Sequence, residues 1–164
     1  MSTKADFTPE EWNALLAAPM LAGMAVTIAE PSGLLGMIQE GWASARSMLG
    51  AKSDPAASQL AKSIAEDFST SEGRHAAQAY VKSQLTGKSA AELKPQIMGA
   101  LSAVAGILDA KAGTDAASVK AWLNHTAQSV AEASKEGGFL GFGGVAVSDA
   151  EKASLDEVAQ ALRA

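Results

Sequence analysis

The chain has 164 residues and a formal net charge of −5 at pH 7. Its 13 lysines and arginines are scattered singly, which argues against a nucleic-acid partner, because a phosphate backbone needs concentrated positive charge. The absence of cysteine excludes disulfides, thiolate nucleophiles and cysteine-bound metals. Hydrophobic residues make up 48%, aromatics only 5%, and 36 residues are alanine, so the apolar side chains are mostly small and helix-forming. Length and composition predict one all-α domain.

The N-terminal segment gives no secretory signal, because it has one lysine and no apolar run before Trp12. We therefore expect a cytoplasmic protein whose residues 1–7 are flexible. The most lipid-like segment, Ala14 to Ala29, spans 16 residues and contains Pro19, and a bilayer requires about 20. This segment is predicted to form a buried helix.

Capping signals recur along the chain. A hydroxyl residue followed three positions later by glutamate predicts a helix start at Thr8, Ser89 and Ser148. Glycines that follow periodic segments predict helix ends at Gly50, Gly87 and Gly113.

These signals and the apolar periodicity predict a bundle of seven or eight helices. Pro19 is expected to bend or restart the chain between the first two helices, and Pro31 to end the second. Pro95 either kinks the sixth helix or opens it. No segment shows sustained, strict alternation of β-branched residues, so no strand is predicted. The expected ranges are 9–18, 19–30, 33–49, 55–68, 71–85, 90–111, 115–136 and 149–162.

Three of these helices carry an apolar stripe at helical spacing. In the sixth helix the stripe is Ile97, Leu101, Val104 and Leu108. In the seventh it is Val119, Trp122, Leu123, Val130 and Ala133, and in the last it is Leu155, Val158, Ala159 and Leu162. These faces are expected to form the core.

An internal repeat is one interpretation of two similar segments. Ala29–Gly36 matches Ala131–Gly141 if three residues are inserted in the second copy. A true repeat would make the protein a duplicated helix-loop-helix. Chance similarity among common residues is the other interpretation.

Two segments match part of a known cofactor- or phosphate-binding motif but lack the neighbouring features that the motif requires. Gly141–Ala146 matches a dinucleotide-binding pattern, but the strand before it is missing. Gly87-Lys88-Ser89 resembles the end of a phosphate-binding loop, but Lys82 stands where that loop requires glycine. We predict no catalytic residue and no cofactor.

The sequence also gives little support for a metal site or for acid–base catalysis. Glu72 and His75 form one Glu-x-x-His pair, whereas a di-iron bundle needs two such pairs and two further glutamates. The other histidine, His125, has no such partner. Adjacent carboxylates at 10–11, 66–67 and 156–157 are interpreted as solubilising charge. We predict no metal site.

Residues 137–147 form a glycine- and phenylalanine-rich segment between the last two predicted helices. Three interpretations are open: an interhelical connector that packs into the core, an exposed loop that contacts a protein partner, or a shallow membrane insertion at 137–145. Only Lys135 and Lys152 flank it, which is little charge for an anionic membrane. The candidate partner-binding residues are Phe139, Leu140 and Phe142.

The C-terminal quarter resembles the helix-loop-helix of TerB-like all-helical domains. The resemblance rests on Ala131-Glu132 and on the Ser148–Glu151 cap, and the longer apolar loop departs from the family's acidic turn. The wider chain is also similar to uncharacterised bacterial helical proteins. The resemblance implies the fold and carries over no functional residue.

The expected function is interaction. We predict a non-enzymatic helical module that binds a protein partner or a second copy of itself, through an interhelical groove or through residues 137–147. The alternative is an enzyme or a carrier of a small molecule or lipid, with Trp12, Trp42 and Trp122 lining an apolar pocket.

Overall fold

The computed structural model of the protein describes residues 2–28, 57–136 and 148–163. Over these ranges the chain is all-α, with six α-helices, one turn of 3-10 helix and no strand. The 3-10 turn is Lys4–Asp6. The helices are α1 (Pro9–Thr27), α2 (Gln59–Phe68), α3 (Ser71–Leu85), α4 (Ala90–Lys111), α5 (Asp115–Glu136) and α6 (Asp149–Leu162).

The three predicted helix starts are confirmed, because local hydrogen bonds satisfy the first amides of each helix. The Thr8 amide donates to Glu11 Oε2 over 2.7 Å, and the Glu11 amide donates back to Thr8 Oγ1 over 3.2 Å. Ser148 and Glu151 make the same reciprocal pair before α6. The Ser89 amide donates to Glu92 at the start of α4.

Two of the predicted glycine ends are also confirmed. Gly87 and Gly113 have φ angles of +78° and +53°, in the left-handed region that favours glycine. Gly50 lies outside the described residues.

The predicted division at Pro19 is wrong, because one continuous helix runs from Pro9 to Thr27 with Pro19 inside it. A proline in a helix interior costs about 3 kcal/mol, since it removes a backbone hydrogen bond and crowds the preceding turn. Burial on all sides of this helix offsets that cost. Pro95 likewise lies inside α4, which begins at its Ser89 cap.

Helix α1 is the centre of the bundle. Each of the other five α-helices contacts it. Every residue from Ala14 to Val26 is buried except Met20 and Met24. A helix that is apolar all round is stable in water only when it is covered on all faces. The lipid-like composition of this segment is therefore explained by a central position in the fold.

The small side chains of α1 allow the surrounding helices to approach closely. Ala17, Ala22 and Ala25 are fully buried.

Among the described helices, none is both long and apolar enough to cross a membrane.

The predicted apolar stripe of α4 is confirmed, since Ile97, Leu101, Val104 and Leu108 are fully buried. The stripe of α5 is shifted. Val119 and Leu123 are buried as predicted, but Trp122 and Val130 are only half-buried, and Thr126 and Ala127 take places in the core instead.

The stripe of α6 is shifted in the same way. Val158 and Leu162 are buried as predicted, whereas Leu155 is half-buried and Glu151 and Ser154 are covered.

Residues 2–7 lie against one end of the bundle. The Ser2 amide donates to Asp115 Oδ2 at the start of α5 over 2.9 Å, and the Ser2 hydroxyl donates to the Lys111 carbonyl at the end of α4. Phe7 is buried. This segment, called the N-terminal arm below, thus makes specific contacts with the helices, and its flexibility stays a prediction.

Several predictions fall outside the described residues. They are the helix at 33–49, the end of the second helix at Pro31, the first copy of the repeat at 29–36, Trp42, and the segment 137–147.

Candidate functional site

The three predicted partner-binding residues, Phe139, Leu140 and Phe142, lie in the segment outside the described residues. The structure describes only its flanks, where α5 ends at Glu136 and α6 begins after the Ser148 cap.

The described tryptophans, Trp12 and Trp122, do not meet in the cleft that Trp12 lines. Trp12, on α1, is only 3% exposed and lines a cleft at the end of the bundle. Trp122, on α5, is half-buried outside that cleft, and its Nε1 has no hydrogen-bond acceptor among the described residues. Trp42 is outside the described residues.

The cleft, called the Trp12 cleft below, lies where the N-terminal arm and the first turns of α1 meet the corner between α2 and α3. Its volume is about 240 Å³. This is slightly below the roughly 300–1,000 Å³ of sites for drug-sized molecules, so it suits a smaller ligand. The lining residues are Lys4, Phe7, Pro9, Trp12, Asn13, Leu16, Asp67, Glu72, Gly73 and Ala76.

Asp67 is the polar centre of the Trp12 cleft. Its Oδ2 accepts a hydrogen bond from Trp12 Nε1 over 2.6 Å and an ion-pair contact from Lys4 Nζ over 2.7 Å. The Lys4 ammonium also lies 5.6 Å from the centroid of the Trp12 ring, within the range of a cation–π interaction. One carboxylate oxygen thus holds an indole and an ammonium group together.

The environment stabilises the ionised form of Asp67. Partial burial raises the pKa of this carboxyl, but the hydrogen bonds from Lys4 and Trp12 outweigh that effect and hold the pKa below its ordinary value. Asp67 is therefore an anion at neutral pH, with a side chain that is 26% exposed.

Gly73 explains how the α2–α3 corner can be so tight. The Thr70 hydroxyl caps α3 by accepting from the Gly73 amide over 2.9 Å, and the α3 backbone then passes directly against the Asp67 carbonyl. A Cβ at position 73 would overlap that carbonyl oxygen. Only glycine allows this approach, which holds Asp67 in the wall of the cleft.

A further ion pair joins α4 to α1 at this end of the bundle. Lys111, the last residue of α4, contacts Glu11 of α1 over 2.6 Å. Together with the arm's contacts to Asp115 and Asp67, this fixes the N-terminus of α1 between the α2–α3 and α4–α5 turns.

The histidines take no part in the Trp12 cleft. His75 is exposed on α3 and His125 is exposed on α5. Over residues 2–28, 57–136 and 148–163, no three histidine, aspartate or glutamate side chains are grouped so that they could hold a metal ion.

A second surface of interest is the outer face of α4. Between Glu92 and Asp109, every exposed residue of this helix is uncharged, and all of them except one proline are small. We call this surface the α4 face, and its residues are Pro95, Gly99, Ser102, Ala103 and Gly106. It extends about 16 Å along the helix at 1.5 Å per residue.

The two glycines of the α4 face have no role in the packing of the described residues. A Cβ placed on Gly99 or Gly106 would meet no atom within 4 Å. Glycine in a helix interior costs roughly 0.5–1 kcal/mol relative to alanine, and no close contact here offsets that cost.

Sequence patterns missed both surfaces for identifiable reasons. Asp67 stands next to Glu66, so the sequence predicts a solubilising pair, and its partner Lys4 lies 63 positions away with no local motif to connect them. The α4 glycines lie opposite the apolar stripe, in positions where periodicity predicts only solvent.

Comparison of the chain with protein-family models, with curated proteins and with solved structures found no match.

Proposed function

We propose that this protein is a non-enzymatic interaction module whose α4 face binds the same face of a second copy of the chain. The observation that carries the proposal is the pair of exposed glycines, Gly99 and Gly106, in the middle of a long helix. They lower helix stability and make no close packing contact with the described residues. They would allow the backbone of another helix to approach closely.

The charges of α4 favour a second copy in antiparallel orientation. The helix carries four charged residues, Glu92 and Lys94 near its start and Asp109 and Lys111 near its end. In an antiparallel pair centred between Leu101 and Ser102, Glu92 and Asp109 lie far along the helix axis from the same residues of the second copy, so like charges stay apart. A parallel pair in register would instead oppose like charges.

The flanks of the α4 face agree with this register. At 3.6 residues per turn, Glu92 and Asp109 lie at the two edges of the face. Lys94 and Lys111 project further round the helix, where they pair with Glu157 and Glu11 of the same chain. A twofold axis across the face keeps each edge against the same edge of the second copy, with Glu92 and Asp109 at a distance from their own counterparts. The α4 face itself is uncharged, and two chains with a net charge of −5 each can meet there with little repulsion.

Sedimentation equilibrium of the wild type and of Ser102→Glu tests the proposal. We expect a dimer for the wild type. Ser102→Glu is expected to be monomeric, because it places two carboxylates together near the twofold axis. Gln78→Glu, on the exposed side of α3, is the matched control and is expected to remain dimeric. A monomeric wild type, or a dimer that Ser102→Glu leaves intact, would contradict the proposal.

The segment 137–147 is proposed as a second contact region, with Phe139, Leu140 and Phe142 binding the partner. Phe139→Ser and Phe142→Ser are then expected to leave the melting temperature nearly unchanged while they alter the oligomer or abolish a partner contact. If they instead lower stability by several kcal/mol, the rings belong to the core, where loss of a phenylalanine side chain costs about 3–5 kcal/mol.

The alternative function, binding of a small molecule, is favoured by one observation, the Trp12 cleft. Its wall combines a buried indole with an ionised carboxylate. A melting shift with a ligand that Trp12→Phe removes would support this alternative.

Finer features of the fold are proposed from sequence patterns alone. They are a seventh helix at 33–49, the repeat that relates Ala29–Gly36 to Ala131–Gly141, the TerB-like character of the C-terminal quarter, and a cytoplasmic location.

A further inference from the structure

The Trp12 cleft has the chemistry that proteins use to bind organic ammonium groups. Asp67 offers a carboxylate, and the Trp12 ring offers a π face beside it. A cation over an indole ring and against a carboxylate is stabilised by both groups at once. The rest of the wall is largely apolar, which suits the carbon chain of an organic cation.

An ammonium group already occupies this position, and it belongs to the protein itself. Lys4 Nζ lies 2.7 Å from Asp67 Oδ2 and 5.6 Å from the Trp12 centroid. The Lys4 side chain is 63% exposed and projects from the short N-terminal arm. Exposed ion pairs of this kind are weak, so a free ligand can displace Lys4.

The cleft holds more negative charge than Lys4 neutralises. Asp67 and Glu72 both line it, and Lys4 is the one cation among its described lining residues. Asp67 Oδ1 and the Glu72 carboxylate accept no hydrogen bond from any described residue. Asp67 is also the second-last residue of α2, where the helix dipole disfavours an anion and favours a neighbouring cation. One lysine against two carboxylates leaves a place for a second positive charge.

We propose that the Trp12 cleft is a binding site for small aliphatic diamines. One ammonium group replaces that of Lys4 on Asp67 and Trp12, and the other pairs with Glu72. Lys4 is the internal occupant of the site in the free protein, and binding releases it. This site uses different residues from the α4 face and does not depend on dimerisation.

Isothermal titration calorimetry with 1,5-diaminopentane tests the proposal, with 1,5-pentanediol as the uncharged control. The wild type is expected to bind the diamine and not the diol. Lys4→Ala is expected to bind about fivefold more tightly, because the ligand no longer competes with an exposed ion pair. Lys82→Ala, a matched loss of an exposed lysine on α3, is expected to leave the affinity unchanged.

Two carboxylate variants assign the roles of Asp67 and Glu72. Asp67→Asn keeps an oxygen acceptor for the Trp12 indole but removes the charge, and it is expected to weaken binding at least about tenfold. Glu72→Gln changes an exposed side chain, so the fold is retained. It is expected to abolish the preference for the diamine over n-pentylamine, which carries a single ammonium group.

The location of binding is read from the Trp12 indole N–H signal in a ¹H–¹⁵N correlation spectrum, assigned by its loss in Trp12→Phe. The diamine is expected to shift this signal. The proposal is overturned if Lys4→Ala does not bind the diamine, if Asp67→Asn and Glu72→Gln both bind it as the wild type does, or if binding leaves the Trp12 signal unmoved. Because binding and oligomeric mass are separate measurements, failure of this proposal is distinguishable from failure of the proposed dimer.

Discussion

Asp67 connects three parts of the chain that are distant in sequence. It is the second-last residue of α2, accepts a hydrogen bond from the Trp12 indole of α1 and pairs with Lys4 of the N-terminal arm. No single-helix pattern could predict this, because its partners lie 55 and 63 positions away. The sequence shows that Asp67 is charged. Its role as the acceptor for Trp12 and Lys4 is visible only in the packing of α1 against the α2–α3 corner.

The lowered pKa of Asp67 predicts a contribution of this residue to stability that depends on pH. A carboxyl whose pKa is lower in the folded than in the unfolded state stabilises the fold above its ordinary value of 3.8. That contribution is lost as the pH falls through the lowered folded value. We therefore expect urea unfolding to show a smaller loss of stability below pH 3.8 for Asp67→Asn than for the wild type. Equal acid sensitivity of the two proteins would contradict this role.

Two glycines on neighbouring helices should respond oppositely to the same substitution. Gly73→Ala places a Cβ against the Asp67 carbonyl and is expected to lower the free energy of unfolding by about 1–3 kcal/mol. Gly99→Ala meets open space and is expected to raise it by about 0.5–1 kcal/mol in the monomer. Denaturant unfolding of both variants at low protein concentration makes the comparison, and a stabilising Gly73→Ala would refute the tight corner.

At the scale of elements, the helix starts and the main core faces follow from local sequence. Thr8, Ser89 and Ser148 cap their helices because the required hydrogen-bonding groups lie within three residues. The break predicted at Pro19 fails because the competing effect is tertiary. Burial of α1 among five other helices outweighs the local cost of a proline, and that burial is not visible in the residues around position 19.

The central position of α1 predicts that added volume is not tolerated there. Ala22 is fully buried, so Ala22→Leu must displace a neighbouring helix and is expected to cost about 1–3 kcal/mol or more. Ala103→Leu makes the same change on the exposed side of α4 and is expected to alter the stability of the monomer by less than about 0.5 kcal/mol. Thermal and urea unfolding of the pair provide the measurement, and equal effects would place α1 at the surface.

At the scale of the whole molecule, the fold separates two surfaces with different chemistry. The Trp12 cleft collects charge where the N-terminal arm and α1 meet the α2–α3 corner. The α4 face is uncharged and lined by small residues. Composition predicts the all-α class, because alanine-rich segments with helical periodicity leave few alternatives. It could not predict which helix is central or which face stays exposed, since both depend on contacts between distant segments.

The absence of cysteine from the sequence allows a direct test of the central claim, which is that two copies meet through the α4 face. Ser102→Cys introduces a single thiol near the proposed twofold axis, and Ala79→Cys introduces one on the exposed side of α3 as the control. Under mild oxidation at equal protein concentration, we predict rapid formation of a disulfide-linked dimer by Ser102→Cys and slow formation by Ala79→Cys. Equal rates for the two variants would contradict the claim.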